Sequence, residues 1–339
     1  MKRFIVPIFI PNLSCPTRCV FCDQGLITSE RSRLPAPEQI KEILSQAVGS
    51  RSYRKENENQ VAFYGGTFTG LGTERIRALL EAVSPFLKRG LFKGIRVSTR
   101  PDMLSDEKLE LMRCCGVKLV ELGAQAMDDE VLEASNRGHT VKDTVEGLRK
   151  LRDKGFSVGI QLMPGLPRET EDSFKQTIRK TLELRPDCVR LYPTVVIQGT
   201  ELARLYRQGV YKPLGLDEAV ERCAWAVRKF EGAGIPVIRI GLMSSQSLMR
   251  DGSVVAGPWH PSLGHLVRAR IFQKKILDSI LGAVKGKQLL LSVHPNDISF
   301  LKGFKGQGAR YLESSLGAEI VSVTIDKAIG QGEARVQVI

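Results

Sequence analysis

The sequence predicts an α/β protein: an open or partial barrel of parallel strands, followed by a small C-terminal α+β unit. Short apolar runs rich in β-branched residues alternate with amphipathic stretches, which is typical of right-handed βα units around a parallel sheet. A chain of 339 residues suits one barrel-sized domain and a small appendage. The seven predicted strands are Phe4–Ile10, Val61–Tyr64, Gly94–Ser98, Lys118–Leu122, Ser157–Leu162, Cys188–Pro193 and Pro236–Ile240.

Helices are predicted between these strands because apolar residues recur there at helical spacing. Ser105 is the expected N-cap of the third helix, Asp106 and Glu107 lie in its first turn, and Gly116 ends it. The chemistry of parallel barrels gathers at the carboxyl ends of the strands. The two clearest core stripes are Ile40, Ile43, Leu44, Ala47 and Ile76, Leu79, Leu80, Val83.

Composition shifts predict three segments. The barrel is expected over 1–243, a Gly-, Pro- and Ser-rich linker with a basic helix over 244–286, and the α+β unit over 287–339. Arg268, Arg270, Lys274 and Lys275 lie on the basic helix.

The charge is basic and no targeting segment is evident. Lys and Arg number 50 against 37 Asp and Glu, a net charge of +13, which would attract a polyanion, although basic residues also solubilise ordinary enzymes. The apolar run near the start is broken by Pro7 and Pro11, so neither a signal peptide nor a membrane span is expected. A cytoplasmic location is predicted.

Three cysteines follow the first predicted strand in a CxxxCxxC spacing: Cys15, Cys19 and Cys22. Thiolates at such short intervals on a loop suit one face of an iron–sulfur cube. Three thiolates leave one iron without a protein ligand, which the amino and carboxylate groups of a methionine would chelate. The spacing therefore predicts a [4Fe–4S] cluster with an open iron.

A structural zinc site is the alternative, and it would need a fourth Cys or His brought in by folding. Seven cysteines in a chain of this size indicate reduced thiols or metal ligands rather than disulfides. The other four cysteines, Cys114, Cys115, Cys188 and Cys223, are expected to be packing residues.

Seven motifs, most at strand ends, resemble the radical SAM superfamily, and within it the radical SAM domain of the catalytic subunit of Elongator. The resemblance covers roughly residues 3–213. The motifs are CPTRCVFC at 15–22, FYGGTFT at 63–69, STRPD at 98–102, ELGAQ at 121–125, RGHTV at 137–141, MPGLP at 163–167 and YPTVVIQGTEL at 192–202.

The resemblance implies two cofactors, the [4Fe–4S] cluster on the three cysteines and S-adenosylmethionine. Glycines without a Cβ would let backbone carbonyls approach the methionine amino group, although a plain turn is the alternative there. Polar groups after the third and fourth strands would hold the ribose hydroxyls and the methionine carboxylate. The implied cofactor-binding residues are Phe21, Gly65, Gly66, Thr67, Ser98, Arg100, Glu121, Gln125, Gln161 and Met163.

Other residues in the motifs have weaker implied roles. Tyr192 and Thr194 are candidates for substrate contacts, and Arg137 and His139 are equally well explained as a surface pair. No acid–base pair is assignable. The implied reaction begins when one electron enters the cluster, S-adenosylmethionine is cleaved, and a 5′-deoxyadenosyl radical abstracts hydrogen from the substrate.

The Elongator subunit continues into an acetyltransferase-like domain for which this sequence has no room, so only the radical chemistry is implied. The leading hypothesis is modification of RNA, in particular tRNA, with an electron donor such as flavodoxin or ferredoxin. One alternative is a radical SAM enzyme acting on a small metabolite such as a tetrapyrrole. Another is a non-catalytic RNA-binding protein with a structural cluster.

The C-terminal segment resembles part of a KH domain. Its Gly303-Phe304-Lys305-Gly306 matches the GxxG loop that clamps a nucleic-acid backbone, and Lys302, Lys305 and Arg310 would face phosphates. The alternative is a small αβ cap whose glycines form turns.

Overall fold

The computed structural model describes residues 3–10, 12–28, 33–280 and 284–339. They form two compact units, Met1–Gly215 with Phe230–Trp259, and Leu216–Lys229 with His260–Ile339. This division differs from the predicted boundaries at 243 and 286. The Gly-, Pro- and Ser-rich stretch up to Trp259 groups with the first unit, and the basic helix groups with the second.

The first unit contains a strand for each of the seven predicted ones and two short additional strands. The strands are β1 Arg3–Ile10, β2 Glu58–Gly65, β3 Gly94–Thr99, β4 Val117–Gln125, β5 Ser157–Leu162, β6 Cys188–Leu191, β7 Val196–Ile197, β8 Val237–Ile240 and β9 Val254–Ala256. The helices are α1 Gln24–Thr28, α2 Pro37–Val48, α3 Thr73–Lys88, α4 Asp106–Cys114, α5 Asp129–Ala134, α6 Val141–Asp153, α7 Glu171–Leu184 and α8 Glu201–Arg207. The next helix, α9 Leu216–Gly232, belongs to the second unit up to Lys229.

Seven parallel strands form one curled half-barrel in the order β1-β2-β3-β4-β5-β6-β8, which confirms the predicted fold class. Every residue of β3 is buried, as expected for the centre of a parallel sheet covered on both faces. The register pairs Ile10 at the end of β1 with Gly65 at the end of β2. The cysteine loop and the glycine segment therefore leave the sheet at the same edge.

The helices form largely as predicted. Ser105 is the N-cap of α4 and accepts a hydrogen bond from Lys108 N, and all four residues of the α3 stripe are buried. Ile43 of α2 contradicts the expectation, since 37% of its surface is exposed. The reason is that β1 is the edge strand of the sheet, so the outer side of the α2 stripe faces solvent.

The segment predicted as a linker contains structure of its own. β9 pairs antiparallel with β7, and Leu248 and Trp259 pack against Val195 and Ile197. No helix in the described ranges is long and apolar enough to cross a bilayer.

The second unit is a three-stranded sheet packed on helices. Central β10 (Gln288–Val293) pairs parallel with β11 (Glu319–Ile325) and antiparallel with β12 (Ala334–Val338). Besides most of α9, its helices are α10 Leu263–Ser279, α11 Ile298–Lys302 and α12 Gln307–Leu316. Its core consists of Phe272, Ile276, Leu291, Val293, Leu301 and Leu312.

Candidate active site

The cysteine loop connects β1 to α1 and is held by backbone hydrogen bonds to distant segments. Val20 N donates to Ser135 O over 3.1 Å, and Leu202 N donates to Val20 O over 2.7 Å. Within the loop, Cys22 N donates to Cys19 O over 3.1 Å. These contacts fix the path of the loop, so the three thiols face one cavity.

That cavity has a volume of about 410 Å³ and lies at the carboxyl ends of the strands. Cys15, Cys19 and Cys22 all line it. Cys15 Sγ lies 3.2 Å from Thr67 Oγ1, which joins the cysteine loop to the segment after β2. Nine of the ten predicted cofactor-binding residues also line the cavity: Phe21, Gly65, Gly66, Thr67, Ser98, Arg100, Gln125, Gln161 and Met163.

The glycine segment lies directly against the end of β1. Gly65 has a φ of +109°, and a Cβ built on it would lie 2.4 Å from Ile10 O. Gly66 N donates a hydrogen bond to the same oxygen over 2.7 Å. No side chain fits at position 65 without moving the backbone, so glycine is required for this close approach of two chain segments.

Arg100 is buried and most of its donors are already used. Its Nε and Nη2 form a bidentate pair with Asp102 at 2.9 and 2.8 Å, and its Nη1 donates to Thr17 Oγ1 and to the carbonyl of Arg137. These contacts hold the cysteine loop in place. They leave a single N–H for the methionine carboxylate that the sequence assigned to this residue.

Glu121 is only 1% exposed and is not among the described residues that line the cavity. It forms ion pairs with Arg96 at 3.2 Å and with Arg190 at 2.6 Å, and it accepts a hydrogen bond from Gln161 Nε2 over 3.1 Å. Both carboxylate oxygens therefore have partners inside the barrel. The geometry makes Glu121 the anchor of a buried polar network, and its contact with ribose stays a prediction.

Tyr64 completes that network. Its hydroxyl lies within 3.5 Å of Arg96 Nη1 and accepts a hydrogen bond from Arg190 Nη2, and the Arg190 guanidinium lies 4.5 Å from the centre of its ring. Burial, together with the charge of Glu121, raises the pKa of Tyr64 to about 12. The hydroxyl is therefore neutral at physiological pH.

Arg137 and His139 are buried, so the surface-pair interpretation is wrong. Arg137 Nη1 donates to Cys19 Sγ over 3.2 Å, and its Nη2 donates to Gly123 O over 2.6 Å. Burial, with the charges of Arg137 and Arg100, lowers the pKa of His139 to about 3. The imidazole is therefore neutral, and Arg137 brings a positive charge to the cysteine loop.

Gln125 ends β4 in an unusual backbone conformation. Its φ is +69°, its carbonyl accepts a hydrogen bond from Met163 N over 2.8 Å, and its buried Oε1 has no partner among the described residues. A Cβ on Gly123 would lie 2.9 Å from Gln125 Nε2. An unpaired buried oxygen in the wall of a cavity is ready to accept a hydrogen bond from a ligand.

Several residues that line the cavity were not predicted as cofactor-binding residues, among them Arg137, Arg190 and Arg239. A lone arginine inside an apolar strand, as in Cys188–Leu191 and Val237–Ile240, is the signal that would have identified the last two. Tyr192 and Thr194 were the candidates for substrate contacts. Tyr192 lines the cavity, whereas Thr194 is buried and is not among its described lining residues.

The donor set fits an iron–sulfur cube better than a zinc ion. Three cysteines line the cavity, and its described lining contains neither a histidine nor a fourth cysteine. Zinc requires four ligands around a single ion, whereas a cube separates its thiolates because each binds a different iron. The hydrogen bond from Arg137 also suits the negative charge that thiolates and sulfides bring together.

The four other cysteines are not among the described residues that line the cavity. Cys188 and Cys223 are buried, as predicted, and burial with the charge of Glu121 raises the pKa of Cys188 to about 11. Cys114 is exposed, contrary to the expectation, because it lies in the last turn of α4 on the solvent side.

In the second unit, Gly303–Gly306 joins α11 to α12. Gly303 and Gly306 have φ values of +64° and +75°, and Lys305 has a φ of +49°. Lys302, Lys305 and Arg310 are exposed, and Arg310 Nη2 donates to Lys305 O over 3.1 Å. The loop therefore presents two lysines to solvent, while Arg310 also supports the loop backbone.

Comparisons with known proteins agree with this geometry. Residues 9–181 match the model of the Radical SAM superfamily, and residues 186–273 match that of the radical SAM C-terminal domain. The tRNA uridine(34) acetyltransferase of Methanocaldococcus infernus is 36% identical over 259 residues, which cover 66% of this chain and 48% of that protein. Elongator complex protein 3 of Homo sapiens is 35% identical over 180 residues, which cover 47% of this chain and 33% of that protein.

A solved structure shows the same fold. The archaeal Methanocaldococcus infernus Elp3 with an N-terminal deletion has a TM-score of 0.60 and 25% identity, covering 81% of this chain and 63% of that one. The chain spans less than half the length of the two curated relatives named above. The family match covers half of the chain and contains the cysteine triad, the glycine segment and the strands β2 to β5. The chain therefore belongs to the radical SAM superfamily, whose enzymes use a [4Fe–4S] cluster and S-adenosylmethionine.

Proposed function

We propose that this protein is a cytoplasmic radical SAM enzyme that modifies RNA, in particular tRNA. The observation that carries the proposal is that three thiols, a glycine segment and an unpaired glutamine oxygen line one cavity at the carboxyl edge of a half-barrel. RNA is the proposed substrate because the relatives matched by sequence include a tRNA uridine(34) acetyltransferase. The electron donor would be a flavodoxin or ferredoxin.

Different residues of the chain would bind different parts of the two cofactors. Cys15, Cys19 and Cys22 would hold three irons of a cluster. Gly65 and Gly66 would present backbone to the methionine part of S-adenosylmethionine. When bound, the two cofactors supply the 5′-deoxyadenosyl radical that abstracts hydrogen from a substrate.

The polar side chains would orient the adenosyl part. Gln161 Nε2 donates to Ser98 Oγ over 3.1 Å, which fixes the amide at the end of β5. Gln125 offers its unpaired Oε1 to a hydroxyl or amino group. Phe21 is buried in an apolar cluster beside the cysteine loop, so it would exclude water from that side.

RNA would also contact the loop Gly303–Gly306 in the second unit. Two exposed lysines on a loop whose glycines have positive φ can lie close to a phosphate backbone.

The test is anaerobic reconstitution with iron and sulfide, followed by reduction in the presence of S-adenosylmethionine. We expect about four irons per chain and release of 5′-deoxyadenosine from the wild type and from Cys114→Ala, whose thiol is exposed and far along the chain from the triad. Cys19→Ala should lose both the bound iron and the release of 5′-deoxyadenosine.

The substrate is tested with RNA from cells that lack this gene. We expect a modified nucleoside to form only when the reduced enzyme is present. A cluster that produces no 5′-deoxyadenosine would favour a non-catalytic RNA-binding protein with a structural cluster. Normal 5′-deoxyadenosine release without any change in RNA would favour a small metabolite as substrate.

A further inference from the structure

Arg190 on β6 and Arg239 on β8 are register partners on two neighbouring parallel strands, and both line the cavity. Like charges on paired residues of a sheet repel each other. This arrangement is favourable only where negative charge compensates both guanidinium groups.

The negative charge of Glu121 compensates only part of the positive charge of Arg190. Its Oε2 lies 2.6 Å from Arg190 Nε and its Oε1 accepts from Arg190 Nη2 over 3.1 Å, yet the same carboxylate also pairs with Arg96. Two arginines thus share one carboxylate. Tyr64 adds no negative charge, since its hydroxyl is neutral. The buried network keeps an excess positive charge beside Arg239.

Arg239 has no carboxylate partner among the described residues. Its Nε and Nη2 donate to the carbonyls of Gly241 and Leu242, each over 3.0 Å, which holds the guanidinium in one orientation. Its Nη1 makes no hydrogen bond within the same part of the chain. None of the described residues that line the cavity is an aspartate or a glutamate.

The other lining arginines differ from Arg239 in position or in partners. Arg18 lies exposed on the cysteine loop, between Cys15 and Cys22. Arg100 is neutralised by Asp102, and Arg137 donates to Cys19 on the loop that follows the first strand. Arg239 lies on β8, at the opposite edge of the sheet from β1, the strand that the cysteine loop follows. It is therefore a fixed cation without an assigned anion, on a different strand from the residues expected to hold the cofactors.

We propose that Arg239, with Arg190 beside it, forms an oxyanion site that receives a phosphate of the substrate. A guanidinium offers planar paired N–H donors, which match the oxygens of a phosphate or a carboxylate. The assignment of this phosphate to RNA rests on the proposed function. The existence of the oxyanion site does not depend on that function.

The experiment measures binding to the full, anaerobically reconstituted chain by isothermal titration calorimetry, with saturating S-adenosylmethionine present. The probes are uridine 5′-monophosphate, uridine and succinate. We expect the wild type to bind the nucleotide about tenfold or more tightly than uridine, which is the effect of one charge-assisted contact.

The variants separate this site from general charge. Arg239→Gln should lose the preference for the nucleotide, and Arg239→Lys should keep part of it. Arg149→Gln removes one positive charge from the exposed side of α6 and should bind like the wild type. If Arg239→Gln fails to fold by circular dichroism, Arg239→Lys together with the salt dependence of wild-type binding decides the question.

Succinate that binds as tightly as the nucleotide, with the same dependence on Arg239, would support the oxyanion site and assign it to a small carboxylate. Equal affinity for uridine and its monophosphate would overturn the proposal, as would wild-type binding by Arg239→Gln or loss of nucleotide binding when S-adenosylmethionine is added. Release of 5′-deoxyadenosine is measured in parallel. Its absence with intact nucleotide binding would overturn the radical function alone.

Discussion

Arg137 Nη1 donates a hydrogen bond to Cys19 Sγ over 3.2 Å, although the two residues are 118 positions apart in the chain. The donor is buried, and its carbonyl accepts a hydrogen bond from Arg100 Nη1 over 2.6 Å. The arginine is thus fixed beside a thiol that would bind iron.

Replacing Arg137 should make the bound cluster harder to reduce. An N–H donor to a ligating sulfur stabilises the more negative, reduced cluster, so Arg137→Gln should lower the midpoint potential. If the lost hydrogen bond is worth about 1.4 kcal/mol, the shift is on the order of 60 mV for one electron. The measurement is a redox titration followed by electron paramagnetic resonance, without S-adenosylmethionine. Arg149→Gln is the control, and an unchanged potential in Arg137→Gln would refute the effect.

Replacing Gly65 should cost stability as well as cofactor binding. In Gly65→Ala the new methyl group meets Ile10 O at 2.4 Å, and the backbone at φ +109° is strained for any L-residue. We expect a loss of about 1–3 kcal/mol in the free energy of unfolding, measured by urea denaturation.

Gly90→Ala is the matched control for that substitution. Gly90 also has a positive φ, +66°, but a Cβ there meets no atom within 4 Å. It should lose about 1 kcal/mol or less. Equal losses in the two variants would show that the contact with Ile10 is unimportant.

The lowered pKa of His139 predicts that the folded protein loses stability at acid pH. Because burial lowers this pKa from 6.5 to about 3, the folded state favours the neutral imidazole. The unfolded chain binds a proton as the pH falls below about 6.5, whereas the folded chain does not. The stabilisation is therefore complete above pH 6.5 and is lost as the pH falls towards 3.

The measurement is urea denaturation between pH 7 and 4. The contribution of His139 should fall by up to about 1.4 kcal/mol per pH unit, and His139→Gln should make the pH dependence shallower. Lys142→Gln, on the exposed side of α6, should leave the dependence as in the wild type. An equally steep dependence in His139→Gln would exclude this histidine as the cause.

The loop of the second unit predicts a salt-dependent contact with RNA. Lys305→Asp reverses one exposed charge, and aspartate tolerates the positive φ of +49° better than lysine does, so the fold should be preserved. If Lys305 contacts a phosphate, the slope of log affinity against log salt concentration should become shallower by about 1.

Fluorescence anisotropy with a labelled tRNA transcript measures this slope. Lys287→Asp makes the same change in charge at the exposed residue that precedes β10, and it should have a smaller effect. Identical slopes for the two variants would indicate general attraction to a basic protein and no contact at the loop.

The local sequence determined the strands and predicted the metal ligands. Strand pattern and triad spacing depend on residues close together in the chain. Each of the seven strands was therefore predicted without tertiary information, and the three cysteines could be proposed as ligands in the same way. The glycine segment was equally visible, since glycines directly after a strand indicate close backbone approach. The predicted core stripe of α2 failed at Ile43 because exposure depends on the position of β1 at the edge of the sheet.

Only the tertiary structure decided how the charged side chains are used. Glu121 meets Arg96 and Arg190 across 25 and 69 residues of sequence, and Arg137 reaches Cys19 across 118. Such pairings depend on the register between strands and on the curl of the sheet, which no local pattern encodes. The sequence thus indicated which groups are expected to hold the cofactors. The fold showed which charges are neutralised and left Arg239 without a carboxylate partner in the described part of the chain.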